Sequence, residues 1–126
     1  MPDRPTLPRV TVIIPAHNEA MNIAELVKKT KAVLAPGDEI LVIDDASDDG
    51  TGELARQSGA TVLTRPYRMG NGAGIKHGIR HARGRILVMM DGDGQHNPDD
   101  IPRLIEPLDR VDMVVGARTG ASQSEV

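Results

Sequence analysis

The chain has 126 residues, a formal net charge of −3, no cysteine, one Tyr and neither Phe nor Trp. That length supports a single domain with one core, and a composition 39% hydrophobic and 26% charged excludes a disordered or fibrous class. Interspersed acids and bases leave no nucleic-acid footprint, and the lack of cysteine excludes disulfides and thiolate metal sites and fits a reducing, cytoplasmic compartment. No apolar run approaches the ~20 residues of a membrane span, and the Pro-rich start MPDRPTLPR does not read as a signal peptide.

Val10 to Ile14 predicts a first strand, stopped by Pro15, with Ala16-His17-Asn18-Glu19 as the following loop. A helix is expected from Met21 to Leu34, with apolar residues at helical spacing, an Asn22–Glu25 capping box and Pro36-Gly37 at its end. Glu39 to Ile43 predicts a second strand that closes in Asp44-Asp45-Ala46-Ser47-Asp48-Asp49-Gly50-Thr51. A short helix over Glu53 to Gln57 leads to a third strand, Ala60 to Thr64. Arg65 to Gly74 reads as a basic, Gly-rich loop before a helix from Ile75 to Ala82. Ile86 to Met90 is a continuous apolar run, the pattern of a strand buried on both faces. Asn97 as N-cap and Pro98 at the first position predict a helix over Asp99 to Leu108, and Asp112 to Val115 a last strand. Strands alternating with helices predict an α/β, Rossmann-like, mostly parallel sheet with helices on both faces.

The chemistry concentrates after the fourth strand, in Asp91-Gly92-Asp93-Gly94-Gln95-His96. Gly92 and Gly94 let the backbone turn so that two carboxylates converge, and an amide oxygen beside them completes a hard, oxygen-only site for Mg²⁺ or Mn²⁺. An acidic glycine turn can also be no more than a turn. Its place at the carboxyl end of a strand, where open α/β sheets bind ligands, favours the metal reading. An EF-hand is excluded, because counting from Asp91 the sixth residue is His96 instead of Gly and the twelfth is Pro102 instead of Glu.

Other strand ends add His17, Asn18 and Glu19, then Asp44 and Asp45, and finally Arg118. Cations and carboxylates lining one crevice suit a diphosphate and a nucleoside. Gly70-Asn71-Gly72-Ala73-Gly74-Ile75-Lys76 is neither a dinucleotide fingerprint nor a P-loop, so anion contact there rests on the nearby Arg68 and Lys76. Asp44, Asp45, Asp48 and Asp49 also admit a reading as helix-capping acids. His77 and His81 stand one helical turn apart, without the Glu or third ligand of a zinc site.

Taken together, VTVIIPAHNEAMNI, EILVIDDASDDGTGELA, GNGAGIKHGIRHARGRILVMMDGDGQHNPDDIPRLIEPL and DMVVGAR resemble the N-terminal half of a family 2 glycosyltransferase of the polyprenyl-phosphate type, similar to dolichyl-phosphate mannose synthase. The resemblance runs from Val10 to Arg118. It implies a GT-A fold, a nucleoside-diphosphate sugar donor (UDP- or GDP-linked), a divalent metal and transfer with inversion. Pro15, Ala16, His17 and Glu19 would line the nucleoside site, with Asp44 and Asp45 near base or ribose and Gly70, Asn71 and Lys76 also at the substrate. Asp91 and Asp93 would be the catalytic DxD pair, Gln95 would assist at the metal, and Arg118 would meet donor or acceptor phosphates. His17 departs from the family, where a Tyr is common.

The family's domain continues past the GAR segment, so the acceptor part is expected to lie outside this chain, and a homodimer is expected to cover the exposed sheet. The implied location is cytoplasmic, at the cytoplasmic face of a membrane that carries a polyprenyl phosphate acceptor. A nucleotide-sugar-binding module without turnover is the alternative. A nucleotidyltransferase is disfavoured, because Pro15-Ala16-His17-Asn18-Glu19 is not its Gly-rich, Arg-containing loop.

Overall fold

A computed structural model describes residues 9–92, 97–102 and 113–115. Its elements are β1 (Val10–Ala16), α1 (Ile23–Val33), β2 (Glu39–Asp45), α2 (Thr51–Gln57), β3 (Thr61–Arg65), α3 (Asn71–His81), β4 (Ile86–Met89), a 3₁₀ turn (Pro98–Asp100) and β5 (Met113–Val115). The strands form one sheet in the order β3-β2-β1-β4-β5, and every pairing is parallel.

Strand parity sorts the core into two layers. Val10, Val12, Ile14 and Ala16 of β1 and Ile40 and Val42 of β2 pack with Ile23, Leu26 and Val27 of α1 and Ala55 of α2. The intervening Ile13, Leu41 and Ile43 form the opposite layer. There α3 lies close to the sheet, because Gly74 and Gly78 carry no Cβ. One added at Gly78 would stand 2.6 Å from Cγ2 of Ile13.

Several element boundaries differ from the sequence expectation for identifiable reasons. β1 continues through Pro15 to Ala16. Ile13 and Pro15 turn their carbonyls toward the β4 side, accepting from the amides of Met90 and Gly92. Pro15 therefore lacks an N–H only where β4 has already ended. β2 extends through Asp44 and Asp45, which pair with Thr64 and Arg65 of β3. The expected capping box is not formed, since Asn22 makes no side-chain cap bond. The carbonyl of Glu19 instead accepts the amides of Asn22 and Ile23. α3 begins at Asn71, so most of the glycines read as loop are helical.

β4 is not buried on both faces: Ile86, Val88 and Met90 are buried, while Leu87 and Met89 are half-buried. α3 packs over β1 and β2, which leaves the outer face of β4 less covered. Asn97 does cap the next turn, its side-chain oxygen accepting the amide of Asp99 at 3.0 Å. The expected helix continues from there into residues 103–108, which lie outside the described residues.

Candidate functional site

From β1 the chain passes to β2 and β3 on one side of the sheet, while β4 lies on the other. The carboxyl ends of β1 and β4 therefore lie side by side at the topological switch point, where sheets of this kind open a crevice and bind ligands. A cavity of about 260 Å³ occupies it, lined by Pro15, Ala16, His17, Glu19, Arg68, Asn71, Asp91 and Gly92. Gly92 is held against β1 by its amide bond to the Pro15 carbonyl at 3.2 Å. A Cβ at Gly92 would lie 2.9 Å from that of Ala16, so only glycine brings the loop this near. This contact sets Asp91 in the cavity wall.

The loops after β1 and β2 hold each other. The amide of Asn18 donates to the hydroxyl of Ser47 at 2.8 Å, and the amide of Asp48 returns a bond to Oδ1 of Asn18 at 2.9 Å. The amide of Glu19 donates to the buried Thr51 hydroxyl at 2.9 Å, and the Ala20 amide to Asp49 at 3.1 Å. Thr51 donates in turn to Asp49 through its amide and its hydroxyl. The Thr51 hydroxyl is the largest influence on the Asp49 carboxyl, and with the Ala20 and Thr51 amides it outweighs burial and holds the group below the ordinary aspartate range. Asn18 and Ala46 take positive φ, 53° and 59°, at the corners of this double loop. The backbone of Glu19 is thus fixed at both its N–H and its C=O, with its side chain at the cavity.

His17 is fixed by its ring. Nδ1 lies 2.7 Å from the carbonyl of Asp45, and Nε2 lies 3.2 Å from the side-chain nitrogen of Asn18. The pair suits the tautomer with hydrogen on Nδ1 and leaves a ring face for the cavity.

Asp44 and Asp45 separate to opposite faces of the sheet, as adjacent strand residues must, and neither lines the cavity. Asp44 accepts the Ser47 amide at 3.1 Å. Asp45, its side chain 3% exposed, accepts the amides of Met69 and Gly70 at 2.9 Å each and Nε of Arg68 at 3.3 Å. Burial alone would raise the Asp45 carboxyl, but the two amides and the guanidinium outweigh it and hold it below the ordinary range. Its visible work is to fold the segment before α3 so that Arg68 and Asn71 face the crevice.

Of the residues expected at the substrate, Pro15, Ala16, His17, Glu19, Asn71 and Asp91 meet in one cavity. Gly70 stands behind it on Asp45, and Lys76 lies on the exposed side of α3. Asp93, Gln95 and Arg118 lie outside the described residues. Among the described residues no group of three acidic, His or Cys side chains is placed to hold a metal. Arg68 was read only as a cation near the Gly-rich loop, and Gly92 only as a turn residue, yet both line the cavity. Arg68 stands 23 residues from the Asp45 that orients it, a distance with no local signature.

Comparison with known proteins agrees with this architecture. An undecaprenyl-phosphate 4-deoxy-4-formamido-L-arabinose transferase of Edwardsiella ictaluri is 35% identical over 92% of this chain and 38% of its own length. An undecaprenyl-phosphate mannosyltransferase of Micrococcus luteus is 37% identical over 87% of this chain and 48% of its own length. The chain thus spans less than half the length of these relatives. Among solved structures, glucosyl-3-phosphoglycerate synthase from Mycobacterium tuberculosis with Mn²⁺, UDP and glucosyl-3-phosphoglycerate superposes with a TM-score of 0.70 at 27% identity, over 83% of this chain and 41% of that one. Its complex with UDP matches with a TM-score of 0.70 at 30% identity, over 80% and 40% of the two chains. The sheet is that of the GT-A fold. With the family model for glycosyl transferase family 2 matching residues 11–126, the chain belongs to that family.

Proposed function

We propose that this chain binds a nucleoside-diphosphate sugar, UDP- or GDP-linked, in the β1–β4 crevice and serves its transfer to a polyprenyl phosphate with inversion at the anomeric carbon. The observation that carries the reading is the cavity itself: at the switch point, Glu19 and Asp91 share one wall system with His17, Arg68 and Asn71. A diphosphate needs cationic and N–H donors, and ribose and base need acceptors; both kinds are present. The lipid-linked acceptor is supported by the names of the two relatives.

In this reading the His17 ring and the Pro15-Ala16 backbone flank the base, and Glu19 accepts from nucleoside hydroxyl or N–H groups. Arg68 and Asn71 face the polar end of the donor. Asp91 offers a carboxylate at the cavity, the hard oxygen donor that Mg²⁺ or Mn²⁺ prefers, and would hold the ion with Asp93 and Gln95. Such an ion supplies positive charge against the departing nucleoside diphosphate. An acceptor phosphate oxygen, already anionic, forms the new bond to the anomeric carbon as the bond from that carbon to the donor β-phosphate breaks. No general base is required for that attack. Arg118 is assigned to the phosphates of donor or acceptor.

The test is to supply UDP- and GDP-sugars with Mn²⁺ and a polyprenyl phosphate, and to follow both donor binding and product formation. Saturable binding with glycolipid formation is expected. Binding without transfer would reduce the chain to a donor-binding module, and no binding of either nucleotide would overturn the reading.

A further inference from the structure

Lys76, expected at the substrate, belongs to a different surface. The charges, interspersed over the chain as a whole, segregate in one stretch: no Asp or Glu occurs in residues 54–90, although the chain holds 18 of them, and the same stretch carries seven of the 15 Lys and Arg. The fold gathers part of this stretch on one side. α3 turns Gly74 and Gly78 inward and presents Gly72, Lys76, Ile79 and Arg80 outward at helical spacing. Tyr67, Arg68 and Met69 lead into the amino end of α3, and Arg68 also lines the crevice. Apolar side chains of the same stretch are exposed too: Tyr67 is 66% exposed, Met69 44% and Ile79 39%. Tyr67 is the chain's only Tyr, Phe or Trp.

Helix polarity does not account for the pattern. Cations in the last turn of α3, such as Arg80, complement the helix dipole, but Lys76 is mid-helix and Arg68 adjoins the amino end, where positive charge is disfavoured. Within the described residues neither Lys76 nor Arg80 makes an ion pair. The field extends to His77, which burial first, and then the charges of His81, Arg65 and Arg80, hold below the ordinary histidine range.

We propose that the outer face of α3, with Tyr67 and Met69 at its amino end, docks this chain on an anionic lipid bilayer. Lys76 and Arg80 meet headgroup phosphates, while Tyr67, Met69 and Ile79 enter the interface, where amphipathic and apolar groups are accommodated. Charge complementarity alone would admit any polyanion; the apolar side chains between the cations select a lipid surface. Because Arg68 belongs to both surfaces, the crevice opens beside the bilayer, within reach of a lipid-borne phosphate. That last consequence rests on the donor-binding reading given above.

Flotation with vesicles of phosphatidylcholine alone, or with about 30 mol% phosphatidylglycerol to give a surface potential, tests the proposal. The chain is expected to float with the anionic vesicles only, and less as salt screens the surface. Arg80→Glu should lower the partition coefficient onto the vesicles at least about five-fold, the weight of one cation at a charged bilayer. Lys76→Glu/Arg80→Glu should abolish binding, and Ile79→Asn should weaken it. Arg80→Glu should leave UDP affinity unchanged and lower the melting temperature by only a few degrees, through the lost complement to the helix dipole. No flotation, equal flotation with neutral vesicles, or indifference to the double variant would overturn the proposal. So would retention on heparin without vesicle binding, which would mark a face for soluble polyanions. A UDP–Mn²⁺ titration of the same preparation separates the two readings: UDP binding without flotation overturns only the surface, and flotation without UDP binding overturns only the donor site.

Discussion

The carboxylate of Asp45 accepts the backbone amide of Gly70 at 2.9 Å, joining the end of β2 to the start of α3. With Met69 and Arg68 as its other donors, Asp45 holds the segment that places Arg68 and Asn71 beside β1. Asp45→Asn keeps the shape but removes the charge, and should cost about 1–3 kcal/mol of stability at neutral pH. The Asp45 carboxyl titrates lower in the folded chain than in the unfolded one. Its stabilising contribution is therefore complete above the ordinary aspartate range and is lost as pH falls through the depressed folded value. Urea midpoints of parent and variant should differ at about pH 7 and converge toward about pH 2, below the unfolded value.

Thr51 acts at one remove from the cavity, through the amide of Glu19. Thr51→Ser should keep the bond, whereas Thr51→Val should lose it along with the contact to Asp49, at about 1–2 kcal/mol. UDP affinity should fall several-fold in Thr51→Val, but Thr51→Val should cost nothing more on a Glu19→Gln background. Additive losses in that double-mutant cycle would show that Thr51 does not work through Glu19.

The tightest backbone approach lies at the other end of the sheet. Gly84 donates its amide to the Thr11 hydroxyl at 2.9 Å, and a Cβ there would stand 2.7 Å from the Thr11 nitrogen. Backbone cannot swing aside as a flexible side chain can, so Gly84→Ala should destabilise the chain by about 1–3 kcal/mol. A thermal midpoint equal to that of the parent would show that the α3–β4 connection yields.

Val88 is fully buried on the face that packs with α1. An unpaired carboxylate there costs several kcal/mol, comparable with the whole ~5–15 kcal/mol stability of a domain, so Val88→Asp should leave no cooperative transition. Circular dichroism on heating would show it.

What the sequence revealed was what local pattern carries. The five strands fall where their apolar runs are, and the crevice residues adjoining β1 and β4 follow because such sheets open their ligand crevice outside the carboxyl ends of the strands. What it hid were long-range partners. Asp44 and Asp45 look like the start of a loop until their β3 neighbours and the amides of residues 69 and 70 are known. Gly74 looks like a helix breaker until α3 is seen pressed on Pro15 and Ile43. Pro15 looks like a stop because its missing N–H matters only if a strand lies opposite, and β4 has ended there.

The central claim, a metal-dependent donor site at the end of β4, is tested most directly by calorimetric titration of UDP into the parent chain and into Asp93→Ala, with and without Mn²⁺. UDP should bind the parent more tightly with Mn²⁺, and the variant should keep its melting temperature and lose the Mn²⁺ effect. An Asp93→Ala chain that binds UDP and Mn²⁺ as tightly as the parent would contradict it.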